Sequence, residues 1–231
     1  MNYVVCLKHG TKYSAEYVNK LYNMVQRNTT VPYEFVCFTE DKKGLNPNIR
    51  VIDLFLHPSI SGWWYKTYFF NPNLPLKGTI LYFDLDVIIF ENIDKLFTYK
   101  ENEFCIIRDF NRHARPNWDR MNSSVFRLNT GDHKEVYETY IQDPSAGKKY
   151  HGDQDWIFAK VKDRFNFWPD EWIQSYKWEM RGKPDMTRIN GVRNFITPGE
   201  PIILPETSVA VFHGEPNPHN CIDKWCLDNW K

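Results

Sequence analysis

The chain has 231 residues, and its 29 Lys plus Arg balance 29 Asp plus Glu. That length can bury a substantial core in one large α/β domain, and the zero net charge excludes a global basic field that would gather nucleic acid or anionic lipid. Aromatic residues make up 16%, nine of them Trp, which suits flat ligands and equally suits a core built on large rings.

The opening Met1-Asn2-Tyr3-Val4-Val5-Cys6-Leu7 lacks the basic segment, long apolar run and cleavage site of a signal peptide. No later run approaches membrane-spanning length. Cys6, Cys37 and Cys105, three of five cysteines, lie inside apolar runs and read as reduced core thiols, so a soluble cytoplasmic protein with no transmembrane segment is expected. Cys221 and Cys226, near His213 and His219, lack the second matching pair of a zinc site.

Tyr3 to Leu7 predicts a strand, followed by the loop Lys8 to Lys12. From Tyr13 the apolar face Tyr17, Val18, Leu21, Tyr22 and Val25 predicts a helix. Tyr33 to Thr39 and Ile49 to Leu54 predict two further strands across a turn-rich segment. This alternation implies a mostly parallel sheet flanked by helices, whose ligands sit at the carboxyl ends of the strands. Ser61 to Phe70 predicts a buried helix, in which Lys66 either snorkels or is aimed at an anion.

Thr79 to Phe90 reads as one buried strand interrupted by Asp84 and Asp86. Residues i and i+2 of an extended chain share a side, so both carboxylates can face one cation while Leu85 turns into the core. Unpaired, two such buried carboxylates would be costly. Glu103 to Arg108 predicts a strand ending at Asp109, and Asn122 to Asn129 another. His133 to Ile141 repeats helical spacing. Gly152-Asp153-Gln154-Asp155 opens a further helix, where acidic residues suit the positive end of the dipole. In the proline-rich last third, Ser208 to Phe212 is a strand ending at His213-Gly214. No repeat or linker interrupts residues 1–231, which read as a single domain.

The acidic pair at a mid-chain strand end, Lys66 in Trp64-Tyr65-Lys66-Thr67, Asn122-Ser123-Ser124-Val125, Asp153-Gln154-Asp155 and His213-Gly214 occur in the order seen in one family. The chain resembles the GT-A glycosyltransferases of the glycogenin and lipopolysaccharide galactosyltransferase type, from Tyr3 to about Pro218. The resemblance implies a Rossmann-like GT-A fold with a nucleotide-binding half, 1–86, and a sugar and acceptor half, 87–231. It also implies transfer of a hexose from UDP-glucose or UDP-galactose, with retention, to an acceptor glycan, lipid or protein.

Carried over, Asp84, Asp86 and His213 hold manganese, or magnesium, against the donor diphosphate. Tyr13 stacks on uracil, Lys66 contacts the diphosphate, and Asp109, Asn122 and Ser123 hold the donor sugar. Asp153, Gln154 and Asp155 lie at the anomeric carbon. The late motif departs from the family, with Asn217 in the place of a lysine and His219 in that of a tryptophan, which makes Lys177 a candidate substitute for the lost cation. Two other readings are a phosphatase of the haloacid-dehalogenase type, from Phe83-Asp84-Leu85-Asp86-Val87, and a non-catalytic carbohydrate-binding protein, from the aromatics.

Overall fold

The apolar residues Val4 to Leu7 leave neither face of the first strand suited to water, and β1 (Asn2–Lys8) is buried on both. The computed structural model describes residues 1–54, 60–182 and 186–231. Strands β2 (Glu34–Thr39), β3 (Arg50–Asp53) and β4 (Thr79–Phe83) extend the sheet in parallel around β1. After β5 (Val87–Ile89) come β6 (Cys105–Arg108), β7 (Met121–Asn129) and β8 (Asn166–Phe167). The large sheet runs β3-β2-β1-β4-β7-β6-β8, and β7 lies antiparallel to both its neighbours.

The alternation within β1 divides the core. Val4 and Cys6 join Leu81, Phe83 and helix α1 (Ala15–Arg27) on one face. Val5 and Leu7 join Ile80, Tyr82 and the aromatics of residues 62–70 on the other. Helix α1 buries Tyr17, Val18, Leu21, Met24 and Val25, the 3.6-residue face expected of it. It stops at Asn28, whose side-chain amide donates to Met24 O and to Ile89 O and so ties the helix end to β5. Helices α2 (Asp94–Thr98), α3 (Glu135–Gln142) and α4 (Asp153–Val161) follow, and α3 and α4 cover the second core cluster.

Two expectations are corrected. Thr79 to Phe90 is not one strand: β4 ends at Phe83 and the chain leaves the large sheet. It resumes as β5 in a second sheet with β9 (Ile173–Ser175) and, after the β10 (Met186–Ile189) and β11 (Val192–Phe195) hairpin, β12 (Val209–Val211). Asp84 and Asp86 therefore occupy the crossing between sheets. Asp84 N donates to Ser124 O at 2.7 Å, and Phe212 N donates to Asp86 O at 3.0 Å, while Leu85 is buried as expected. The second correction is that Gly62–Phe70 is a 3-10 helix. Its three-residue repeat eclipses positions i and i+3, which sets Trp63, Lys66 and Phe69 in one column. Helix α5 (Lys224–Asn229) closes the fold.

Candidate active site

At the carboxyl ends of β1 and β4 lies a cleft of about 430 Å³. Its walls include Tyr13, Lys66, Asp84, Asp86, Asn122, Ser123, Asp153, Gln154 and His213, which come from distant parts of the sequence. Asp109 and Asp155 are not among its lining residues. Asp109 caps the turn Phe110–His113 and accepts from Asn111 N at 2.9 Å and Trp118 Nε1 at 3.0 Å. It reaches the cleft through Gln154, whose Nε2 lies 3.5 Å from Asp109 Oδ2. Asp155 sits in the first turn of α4, outside the lining.

Lys66 organises the floor. Its Nζ donates to Asp84 Oδ2 at 2.8 Å and to Ser123 Oγ at 3.2 Å, and pairs with Asp153 Oδ2 at 3.8 Å. Ser123 Oγ in turn donates to Asp153 Oδ2 at 2.6 Å. Burial disfavours the ammonium charge, but Asp84 and Asp153 outweigh it and hold Lys66 above its ordinary pKa. Burial pushes the Asp153 carboxyl up against the opposing pull of Lys66 and Ser123. Tyr82 donates its hydroxyl to Asp84 Oδ1 at 2.7 Å, and Tyr13 donates to Asp86 Oδ2 at 3.1 Å. Burial, then the neighbouring Asp84 carboxylate, raises the Asp86 carboxyl above its usual range.

His213 follows β12 with φ at +30°, an uncommon conformation for a residue other than glycine and one often found at functional positions. Its ring stacks on Phe110 at 5.2 Å, and its Nε2 lies 2.6 Å from Ser175 Oγ. Burial and then Lys177 push its pKa down to about 3, so the imidazole is neutral, the form that ligates metals. The donor atoms of Asp84, Asp86 and His213 share the cleft without converging. Among the described residues, the His, Cys, Asp or Glu cluster whose ligand atoms all lie within 4.8 Å is Cys221, Asp223 and Cys226. There Asp223 is engaged by Tyr176 OH at 2.8 Å, by Gly199 N at 2.8 Å and by Arg181, bonds that account for its burial.

The late residues differ from the family pattern in instructive ways. Asn217 N donates to Asn220 Oδ1 at 2.8 Å, in a local turn, and His219 Nδ1 is bonded to Tyr17 OH of α1. Neither residue lines the cleft. Lys177, in the turn Tyr176–Met180, donates to His213 O and Glu215 O, each at 2.9 Å. Burial, then Arg193, lowers its pKa to about 8. Sequence reasoning missed Tyr82 and Ser175. Tyr82 was legible in hindsight as the residue two before Asp84, whereas Ser175 lies on a three-residue strand with no periodicity to mark it.

This sheet order, cleft position and acidic crossing define a GT-A glycosyltransferase fold. No protein-family model matches the sequence, and no curated protein does. Solved glycosyltransferases share the fold. An active-site mutant of LgtC aligns over 99% of this chain and 93% of its own, with a TM-score of 0.68 and 13% identity. The galactosyltransferase LgtC in complex with donor and acceptor sugar analogs aligns over 94% of this chain and 89% of its own, at 0.64 and 15%. The glycosyltransferase GlyE of Streptococcus pneumoniae aligns over 77% of this chain at 0.59 and 14%, and this chain spans 48% of GlyE.

Proposed function

We propose that this chain is a retaining, divalent-cation-dependent glycosyltransferase that moves glucose or galactose from its UDP donor to an acceptor glycan, lipid or protein. The observation that carries the reading is the single cleft gathering Tyr13, Lys66, Asp84, Asp86, Asn122, Ser123, Asp153, Gln154 and His213. The LgtC complex with donor and acceptor sugar analogs, on the same fold, supports it.

The donor set fits the cation. Two carboxylates and a neutral imidazole suit manganese or magnesium, and a cation between them would compensate the buried charge of Asp86. Asp84, Asp86 and His213 would hold the ion, which would neutralise charge on the departing diphosphate. In this reading Lys66 meets the diphosphate and Tyr13 the base. Asn122 and Ser123 hold the sugar, and Asp109 acts on it through Gln154.

Retention follows from what lies near the anomeric carbon. An inverting reaction needs a carboxylate or similar base on the face opposite the diphosphate, and the amide of Gln154 cannot serve. Attack from the leaving-group side lets a diphosphate oxygen take the acceptor proton. Asp153 and the Gln154 carbonyl then stabilise the cationic sugar, while Asp155, outside the lining, has no such contact; a double displacement through Asp153 or Gln154 would retain as well. The haloacid-dehalogenase reading is disfavoured because Asp84 follows the fourth strand and is already bonded by Lys66 and Tyr82. The test is a panel of nucleotide sugars with Mn²⁺, read as release of nucleoside diphosphate, with proton NMR of the product. Hydrolysis of generic phosphate esters alone, or a β-linked product from an α-linked donor, refutes the proposal.

A further inference from the structure

A tryptophan held in water is costly unless something covers it, and among the described residues Trp63 is the Trp that is more exposed than buried, at 58%. It stands one 3-10 turn from Lys66 on the wall of the cleft. Its Nε1 lies 3.5 Å from where a Cβ at Gly152 would be, beside the Asp153-Gln154 start of α4. Tyr13, bonded to Asp86, lines the same cleft.

Behind the same segment lies a second pocket of about 530 Å³, walled by Ser61, Trp64, Asp143, Ser145, Lys148 and Tyr150, among others. Trp64 stacks on Tyr140 at 4.8 Å and 12°, which fixes its ring. Ser61 to Trp64 is thus a ridge shared by two cavities, with Gly62 and Trp63 facing one and Ser61 and Trp64 the other. An exposed aromatic ring beside a fixed one, interleaved with hydroxyl, carboxylate and ammonium groups, matches the chemistry of sugars, whose C–H faces stack and whose hydroxyls hydrogen-bond.

We propose that this ridge is the acceptor site and that the acceptor is a glycan of more than one sugar. Trp63 stacks under the sugar that receives the hexose, and the pocket behind takes the sugars that follow. The inference rests on the transferase reading above. In the step it serves, the bond from the anomeric carbon to the diphosphate oxygen breaks and a bond from that carbon to an acceptor hydroxyl oxygen forms. The hydroxyl proton leaves on the diphosphate.

The test uses the whole chain with Mn²⁺, UDP-glucose or UDP-galactose, and gluco- and galacto-oligosaccharides of one to five residues. The expected result is a KM for saccharide that falls with length over the first three sugars. Trp63→Ala should raise that KM at least tenfold and Trp63→Phe by less, with UDP affinity by calorimetry within twofold of the parent. Ser145→Trp, which fills the rear pocket, should abolish the length dependence while single sugars still react. An unchanged KM in Trp63→Ala overturns the proposal. So does a parent chain that hydrolyses the donor but uses no saccharide, a result that leaves the transferase reading standing. Absence of both UDP binding and UDP release refutes the transferase reading itself, and this inference with it.

Discussion

The Lys66 ammonium lies 2.8 Å from Asp84 Oδ2 and 3.8 Å from Asp153 Oδ2, so one buried cation joins the sheet crossing to the start of α4. Removing it leaves two carboxylates facing each other with little water to screen them. Lys66→Met should cost about 3 kcal/mol of stability, the low end for a broken buried pair because the Asp84 side chain is still 21% exposed. Urea denaturation checks it. Added Mn²⁺ should recover part of the loss, since a divalent ion supplies the missing charge, and an unaltered midpoint with and without Mn²⁺ contradicts this account.

Asp86→Ala and His213→Ala should abolish Mn²⁺-dependent UDP binding in calorimetry while leaving the fold intact. Asp86 is a carboxylate whose burial already opposes its charge, so losing it relieves strain as it removes affinity. Asp84→Ala should lose the same affinity but also stability, because Lys66 and Tyr82 lose a partner. Unchanged UDP affinity in all three variants would eliminate the metal assignment.

Tyr13→Ala should weaken UDP by on the order of 1 kcal/mol if the ring stacks on uracil. The hydroxyl bond to Asp86 Oδ2 means that Tyr13→Phe also has a cost, roughly the 0.5–1.5 kcal/mol of one hydrogen bond. Titration of both variants with UDP and Mn²⁺ separates ring from hydroxyl, and equal losses in the two would show that the ring does not stack.

Lys177→Met should slow donor turnover roughly a hundredfold to a thousandfold if its charge serves the leaving diphosphate, the range for losing one such donor. The ammonium sits in a cradle of His213 O and Glu215 O, so Lys177→Arg should not restore the rate. A merely structural clamp would instead lower the melting temperature of both variants with turnover per folded molecule unchanged.

His133 gives a pH signature away from the cleft. Burial, then Arg164, holds its pKa below the ordinary histidine value. The unfolded chain therefore binds more protons than the folded one as pH drops below about 6.5, and stability contributed at pH 7 is lost through that window. Urea unfolding at pH 7.0 and 5.5 should show a smaller drop for His133→Asn than for the parent. Asparagine suits the site because residue 133 has φ at +52°. Parallel drops would exclude His133 as the source.

What was legible in the sequence were runs with a clear period. Val4 to Leu7 and Phe35 to Phe38 read as strands because both faces are apolar, and α1 because its buried face repeats every 3.6 residues. The segment Gly62–Phe70 is apolar nearly all round, so its helical type could not be told by period. The break at Asp84 was hidden because Val87 to Ile89 is as apolar as Ile80 to Phe83, and only partners distant in sequence decide which sheet each joins. The cleft residues were legible as motifs, whereas Ser175 and the orientation of Asp109 depend on loops whose course is set by tertiary contacts.

The pairing of β5 with β12 also governs when the cleft is finished. Val87–Ile89 lies in the first half of the chain and Val209–Val211 near its end, so joining them closes a long loop, the kind of contact that forms late. Tyr13, just before α1, and Lys66 belong to segments made early in synthesis, but the wall that carries His213 arrives only with β12. A half-made or misassembled molecule therefore has a floor without its last wall, and the cleft is completed only when β12 pairs with β5.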